Sequence, residues 1–152
     1  MPRGFVFHKR RRTKIRKLPR PKDKPIKTGV GEEPPIGLIQ GKKPGSVQEW
    51  RVGYCLQYLL KVPFEFQKAV AGGRRLRGGQ VVDFWVFTKP LPTPIYVQGD
   101  YWHKGIKAVE DDIKIQSLLR IYAGQINMPV LLWEHQLETL DETLAVLRRY
   151  VV

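Results

Sequence analysis

A single cysteine in 152 residues excludes an internal disulfide framework. Cys55 lies among apolar residues in an expected helix, where a buried structural thiol is the favoured reading. Long apolar runs are missing too, and none approaches the ~20 residues of a membrane-spanning helix. The basic start is not followed by an apolar stretch, so no secretory signal is expected. Its prolines and its extent set it apart from an organelle transit peptide. Together these absences predict a soluble, intracellular protein. Acidic residues are scarce in one region only. Residues 1–27 hold twelve Lys or Arg against the single acid Asp23. Residues 28–45 balance Lys42 and Lys43 with Glu32 and Glu33, and residues 46–152 carry thirteen basic and eleven acidic side chains. The net charge of +13 is therefore concentrated in one tail, beside a nearly neutral body.

What is present divides the chain in two. Residues 1–45 read as a basic, proline-rich arm and linker, with seven of the twelve prolines and no helical or strand period. Such composition predicts disorder, or an extended polyproline form. It serves either as a solubility or localisation tail or, in the sharper reading, as an arm that neutralises nucleic-acid phosphates. Arg10, Arg11, Arg12, Lys14, Arg16 and Lys17 form its densest run. Six such cations on phosphates would make binding roughly a thousandfold weaker at about 200 mM salt than at 50 mM, without choosing a sequence.

Residues 46–152 show regular patterns. "SVQEWRVGYCLQYLLK" opens with the capping box S-x-x-E and keeps helical spacing until Pro63. "PFEFQKAV" predicts a short strand with Phe64 and Phe66 on one face, and "AGGRRLRGG" a turn. "QVVDFWVFT" and "IYVQ" predict a hairpin, "KGIKAVEDDIKIQSLLRIYAG" a helix, "MPVLLWE" a strand and "LETLDETLAVLRRY" a closing helix. The order predicts a three-layer α/β domain with a central mixed sheet flanked by helices.

Several polar residues do not suit that core. Asp83 sits in "VVDFWVF", where a carboxylate needs compensation, either from Arg74, Arg75 or Arg77 or from a metal. Strand alternation places Tyr96, Gln98 and Asp100 on one face, so Gln98 or Asp100 is expected beside Asp83. Two close carboxylates suit a hard divalent cation such as Mg²⁺. Asp100 could equally cap a turn with Gly99, and Gln98 could satisfy backbone groups. His103 follows three residues after Asp100 and could accept a proton from water. Asp111, followed by Asp112, has helical partners in Lys107 and Lys114, though one of the two acids could orient His103 or complete the site. Glu49 already has a capping task, and Glu134 and His135 suit the start of the last helix and its surface.

Taken together, "VDFWV", "IYVQGDYWH", the first-helix Glu49, and "DxxK" ahead of "GxxxxPVLLWE" resemble the PD-(D/E)xK nuclease superfamily. More narrowly, they resemble very-short-patch-repair endonucleases and their phage and homing relatives, over about residues 46–140. The resemblance implies a restriction-endonuclease-like fold and a Mg²⁺- or Mn²⁺-dependent hydrolase acting on DNA. Asp83 would be the central metal ligand, joined by a main-chain carbonyl near Val97 and by waters. His103 would be the base or face the phosphate, with Glu49 and Asp111 as supporting acids. Gln98 stands where relatives often carry a histidine or an acid, and Asp100 takes the place of the usual lysine. Tyr101 would reach into DNA, while Arg74, Arg75, Arg77 and the arm, which lies outside the resemblance, are expected to bind nucleic acid by their charge.

The expectation is an endonuclease that nicks or cleaves duplex or branched DNA, cytoplasmic or nucleoid-associated, and of a kind that phages also encode. No membrane partner is expected. The alternative is an inactive nuclease-fold subunit that binds nucleic acid within a nucleoprotein assembly, an option that Gln98 and the displaced lysine favour. A resolvase of branched DNA, which would need a dimer, is a third.

Overall fold

Strands in this chain form where β-branched and aromatic residues cluster between turn signals. In a computed structural model, residues 27–28, 31–100 and 106–152 are described. Two-residue strands, β1 (Lys27–Thr28) and β2 (Gly31–Glu32), pair antiparallel ahead of the main body. The body then runs α1 (Val47–Tyr54), a π turn (Cys55–Leu59), β3 (Phe64–Val70), β4 (Gln80–Val86), β5 (Thr93–Gln98), α2 (Ile106–Ile121), β6 (Val130–Trp133) and α3 (Leu140–Val151). The sheet order is β3-β4-β5-β6, with antiparallel pairs except for β5 and β6, which run parallel. This is the expected mixed sheet, and α2 supplies the crossover that a parallel pair requires.

Two apolar clusters lie on opposite faces of the sheet. One joins Phe64, Phe66, Phe84, Val86, Ile95 and Leu132 to Trp50, Cys55 and Leu56 of the first helical segment and Leu147 and Val151 of α3. The other joins Val70, Val82, Trp85 and Tyr96 to Leu118 of α2. Phe64 and Phe66 share a face, as their spacing predicts. The alternation breaks once, in the middle of the β3–β4 hairpin. Phe66 pairs with Phe84 and Lys68 with Val82, while Gln67 and Asp83 between them do not pair. Gln67 takes a left-handed φ of 54° there. Beyond this point Val82 joins the α2 face, whereas Phe84 remains on the α1 and α3 face. Asp83 therefore occupies the switch between faces instead of a regular core position.

The expected linker is more than a linker. Within 33–45, Ile39 is buried in the larger cluster, and a Cβ on Gly53 would come within 2.5 Å of its Cδ1. The Gln40 side-chain amide donates to Phe64 O at 2.6 Å and accepts from Phe66 N–H at 2.9 Å, covering the β3 edge as a further strand would. Glu33 pairs with the buried Arg51 at 3.1 Å. Residues 33–45 are thus packed onto the body that begins at residue 46. Composition concealed this, because prolines and glycines interrupt every period while a few side chains, Glu33, Ile39, Gln40 and Lys42, make the attachment.

Arg10, Arg11, Arg12, Lys14, Arg16, Lys17, Tyr101 and His103, all proposed from sequence for the site or for nucleic acid, lie outside the described residues. Among the described residues no helix is long and apolar enough to cross a membrane.

Candidate active site

The site begins where β5 leaves β4. Their pairing covers only Thr93–Ile95 against Phe84–Val86, after which β5 continues beside β6 alone. The Val97 N–H would lose its strand partner, and an unpaired buried amide is costly. Asp83 accepts it through Oδ2 at 2.8 Å. Burial pushes the Asp83 carboxyl up from 3.8 to about 6, against the lowering effect of the Val97 bond. Repulsion from Glu49 contributes to that rise, and Arg74 and Lys114 oppose it from a distance. Among the described residues neither cation forms an ion pair with Asp83. The compensation expected from the arginine-rich turn is thus electrostatic only.

Glu49 reaches this place because of the helix cap. Ser46 Oγ accepts the Glu49 N–H at 3.1 Å, and Glu49 Oε2 accepts the Gly45 N–H at 2.8 Å. A carboxylate at a helix N-terminus is also favoured by the helix dipole. The cap and the site are the same residue: anchoring Glu49 in this way aims its charge toward Asp83. Ser46, Gln48 and Glu49 form one wall of a cleft of about 220 Å³, and Val97, Gln98, Gly99 and Glu134 form the rest. It opens at the carboxyl ends of the parallel strands β5 and β6, the usual ligand position in α/β sheets. Larger hollows beside Ile36 and Leu38, about 420 Å³, and beside Gln57 and Lys61, about 620 Å³, contain no carboxylate.

Other expected site residues fall differently. Gln98 does line the cleft. Asp100 lies past the end of β5, so strand alternation no longer governs it, and its carboxylate meets His135 Nδ1 at 2.7 Å. That contact engages the carboxylate expected beside Asp83 as a second metal ligand. Asp111 is buried at 7 % exposure on the α2 face, while Asp112 is exposed. There Asp111 helps Asp83 and burial to raise the Tyr96 hydroxyl, burial having the largest effect. Tyr96 donates to Gln80 at 2.6 Å, and Gln80 donates to Lys114 O at 3.0 Å, a chain that ties α2 to the sheet behind Asp83. Asp111 thus belongs to that layer and not to the Glu49 wall. Arg74, Arg75 and Arg77 sit in the tight β3–β4 connection, all exposed.

Sequence reasoning gave Glu134 and His135 only a place at the start of the last helix and on its surface. Glu134 Oε1 accepts from Gln48 at 3.3 Å, and Oε2 accepts the Asp100 N–H at 3.3 Å. The available signal was topological: "QGD" and "WEH" end two neighbouring strands, and parallel pairing brings such ends together. Among the described residues no group of three His, Cys, Asp or Glu side chains is arranged to hold a metal. The donors present for a hard cation are the Asp83 and Glu49 carboxylates with main-chain oxygens at the end of β5. No family model matches the chain, and neither a curated protein nor a solved structure matches it.

Proposed function

We propose that this protein is a metal-dependent DNA endonuclease with a restriction-endonuclease-like fold, related to the PD-(D/E)xK and very-short-patch-repair enzymes. One observation carries the reading. Asp83 is a partly buried carboxylate held at a strand parting, raised to about 6 by burial foremost and by the repulsion of Glu49. A fold gains little from such an arrangement unless a cation relieves it. Asp83 and Glu49 would hold Mg²⁺ or Mn²⁺, with main-chain oxygen and water completing an oxygen shell. When bound, the ion supplies an activated water and stabilises charge on the phosphate. Gln98 would orient the phosphate in the cleft, His103 would face it, and the arm with Arg74, Arg75 and Arg77 would hold the duplex.

Supercoiled plasmid incubated with Mg²⁺ or Mn²⁺ tests this. Wild type should yield nicked or linear DNA, whereas EDTA or Asp83→Ala should abolish the product while binding persists. Cleavage by Asp83→Ala at the wild-type rate would remove the site. A second reading, an inactive nuclease-fold subunit of a nucleoprotein assembly, is favoured by the engagement of Asp100 with His135 in place of a second ligand beside Asp83. That reading requires binding of DNA with no cleavage and no response of thermal stability to Mg²⁺.

A further inference from the structure

The pair Asp100–His135 has no part in the metal site just described. Its contact is short, 2.7 Å between Oδ1 and Nδ1. An ionised carboxylate only accepts, so Nδ1 carries the proton and donates it to Asp100. The neutral ring then has its lone pair on Nε2, at the opposite edge, and the His135 side chain is 62 % exposed. The pair is also held in place. The Asp100 N–H donates to Glu134 Oε2, which with the Asp100–His135 contact joins the ends of β5 and β6 twice, and Glu134 Oε1 accepts from Gln48 of α1 across the cleft. Gly99 and Glu134, the chain neighbours of the two residues, both line its wall. An exposed ion pair is a weak fastener, screened by solvent. An imidazole fixed in one tautomer by a carboxylate, with the other nitrogen open, has the arrangement of a general base and its orienting acid.

We propose that His135 is the proton acceptor for hydrolysis in this cleft and that Asp100 is its positioning residue. The inference rests on the endonuclease reading above. In the step, a water O–H proton passes to His135 Nε2 as the water oxygen forms a bond to phosphorus. The bond from phosphorus to the leaving nucleoside oxygen breaks, its electron pair stays on that oxygen, and solvent water protonates it. His135 then returns its proton to solvent. This leaves His103 to contact the phosphate.

The test measures single-turnover cleavage of plasmid by wild type and by His135→Ala, His103→Ala, Asp100→Asn and Asp100→Glu, with DNA affinity and thermal stability measured in parallel. His135→Ala should lose about a hundredfold or more in rate, the usual worth of a general base, with affinity unchanged and with partial recovery in added imidazole. His103→Ala should show no imidazole rescue. Asp100→Asn should slow cleavage, and Asp100→Glu should restore part of it. Nitrogen NMR of the metal-free protein should find His135 protonated at Nδ1 in wild type and not in Asp100→Asn. A folded His135→Ala that cuts at the wild-type rate, or that imidazole does not rescue, overturns the inference and leaves the nuclease intact. Wild type that cuts nothing overturns the nuclease reading and this inference with it.

Discussion

Asp83 combines two tasks that conflict. It supplies the acceptor that β4 no longer offers to Val97, and it carries a charge that burial penalises. Because its native value, about 6, lies above 3.8, the native state binds the proton more tightly than the unfolded chain. The resulting stabilisation is complete below 3.8 and is lost as pH rises through about 6. The loss amounts to ~3 kcal/mol at most. Asp83→Asn keeps an acceptor for the Val97 N–H and never ionises. Its melting temperature should exceed that of wild type at pH 8, and the two should converge near pH 4. Added Mg²⁺ should narrow the gap at pH 8 by stabilising wild type alone. An equal melting difference at both pH values would mean that Asp83 is not strained by its charge. Asp83 was legible in sequence, since a lone aspartate among apolar residues needs a reason. Glu134 and His135 were not, because each also suits the start of a helix and their meaning comes from a strand end 35 residues earlier.

At the level of elements, the period-two strands, the S-x-x-E cap and the closing helix could all be read directly. Each is fixed by neighbours within a few residues. Three features could not. The face switch at Gln67 and Asp83 needs both strands in view, since neither sequence alone shows that Val82 and Phe84 point to opposite layers. The π turn at Cys55–Leu59 continues a helical spacing that sequence cannot distinguish from an α-helix. The attachment of 33–45 depends on Ile39 filling the space over Gly53. Alanine normally improves a helix interior by ~1 kcal/mol over glycine. Here its Cβ would stand 2.5 Å from Ile39 Cδ1, and such overpacking costs about 1–3 kcal/mol. Gly53→Ala should therefore destabilise the protein in urea unfolding and expose the 33–45 segment to limited proteolysis. Combining it with Ile39→Ala should cost less than the sum of the two single changes, because the second removes the atoms that clash. Additive effects would show that Ile39 and Gly53 do not touch.

The whole molecule divides its labour by charge. Residues 1–27 carry twelve cationic side chains and one acid, while the body from residue 46 has an excess of only two positive charges. The cleft is lined by Glu49 and Glu134, with Asp83 and Asp100 behind or beside it, so the body's own field near the site opposes an approaching phosphate. Affinity must then come from cations elsewhere, and the Glu33–Arg51 pair and the Ile39 anchor fix where the arm joins the body. Arg51 also donates to Leu137 O at 2.7 Å, three residues past Glu134, so that junction lies close to the cleft wall. Removing residues 1–27 should leave the fold and its unfolding midpoint nearly unchanged. It should flatten the dependence of DNA affinity on salt, since every phosphate left without its cation takes about 0.9 from the logarithmic slope. Six such phosphates would reduce the slope by about 5. Cleavage at saturating DNA should persist, because Asp83, Glu49 and Glu134 belong to the part that remains. Filter binding from low to high salt, paired with the single-turnover rate, separates the two roles. An unchanged slope would place the phosphate-binding cations at Arg74, Arg75 and Arg77 instead, whereas a lost rate with an unchanged slope would mean that the arm acts in the cleft itself.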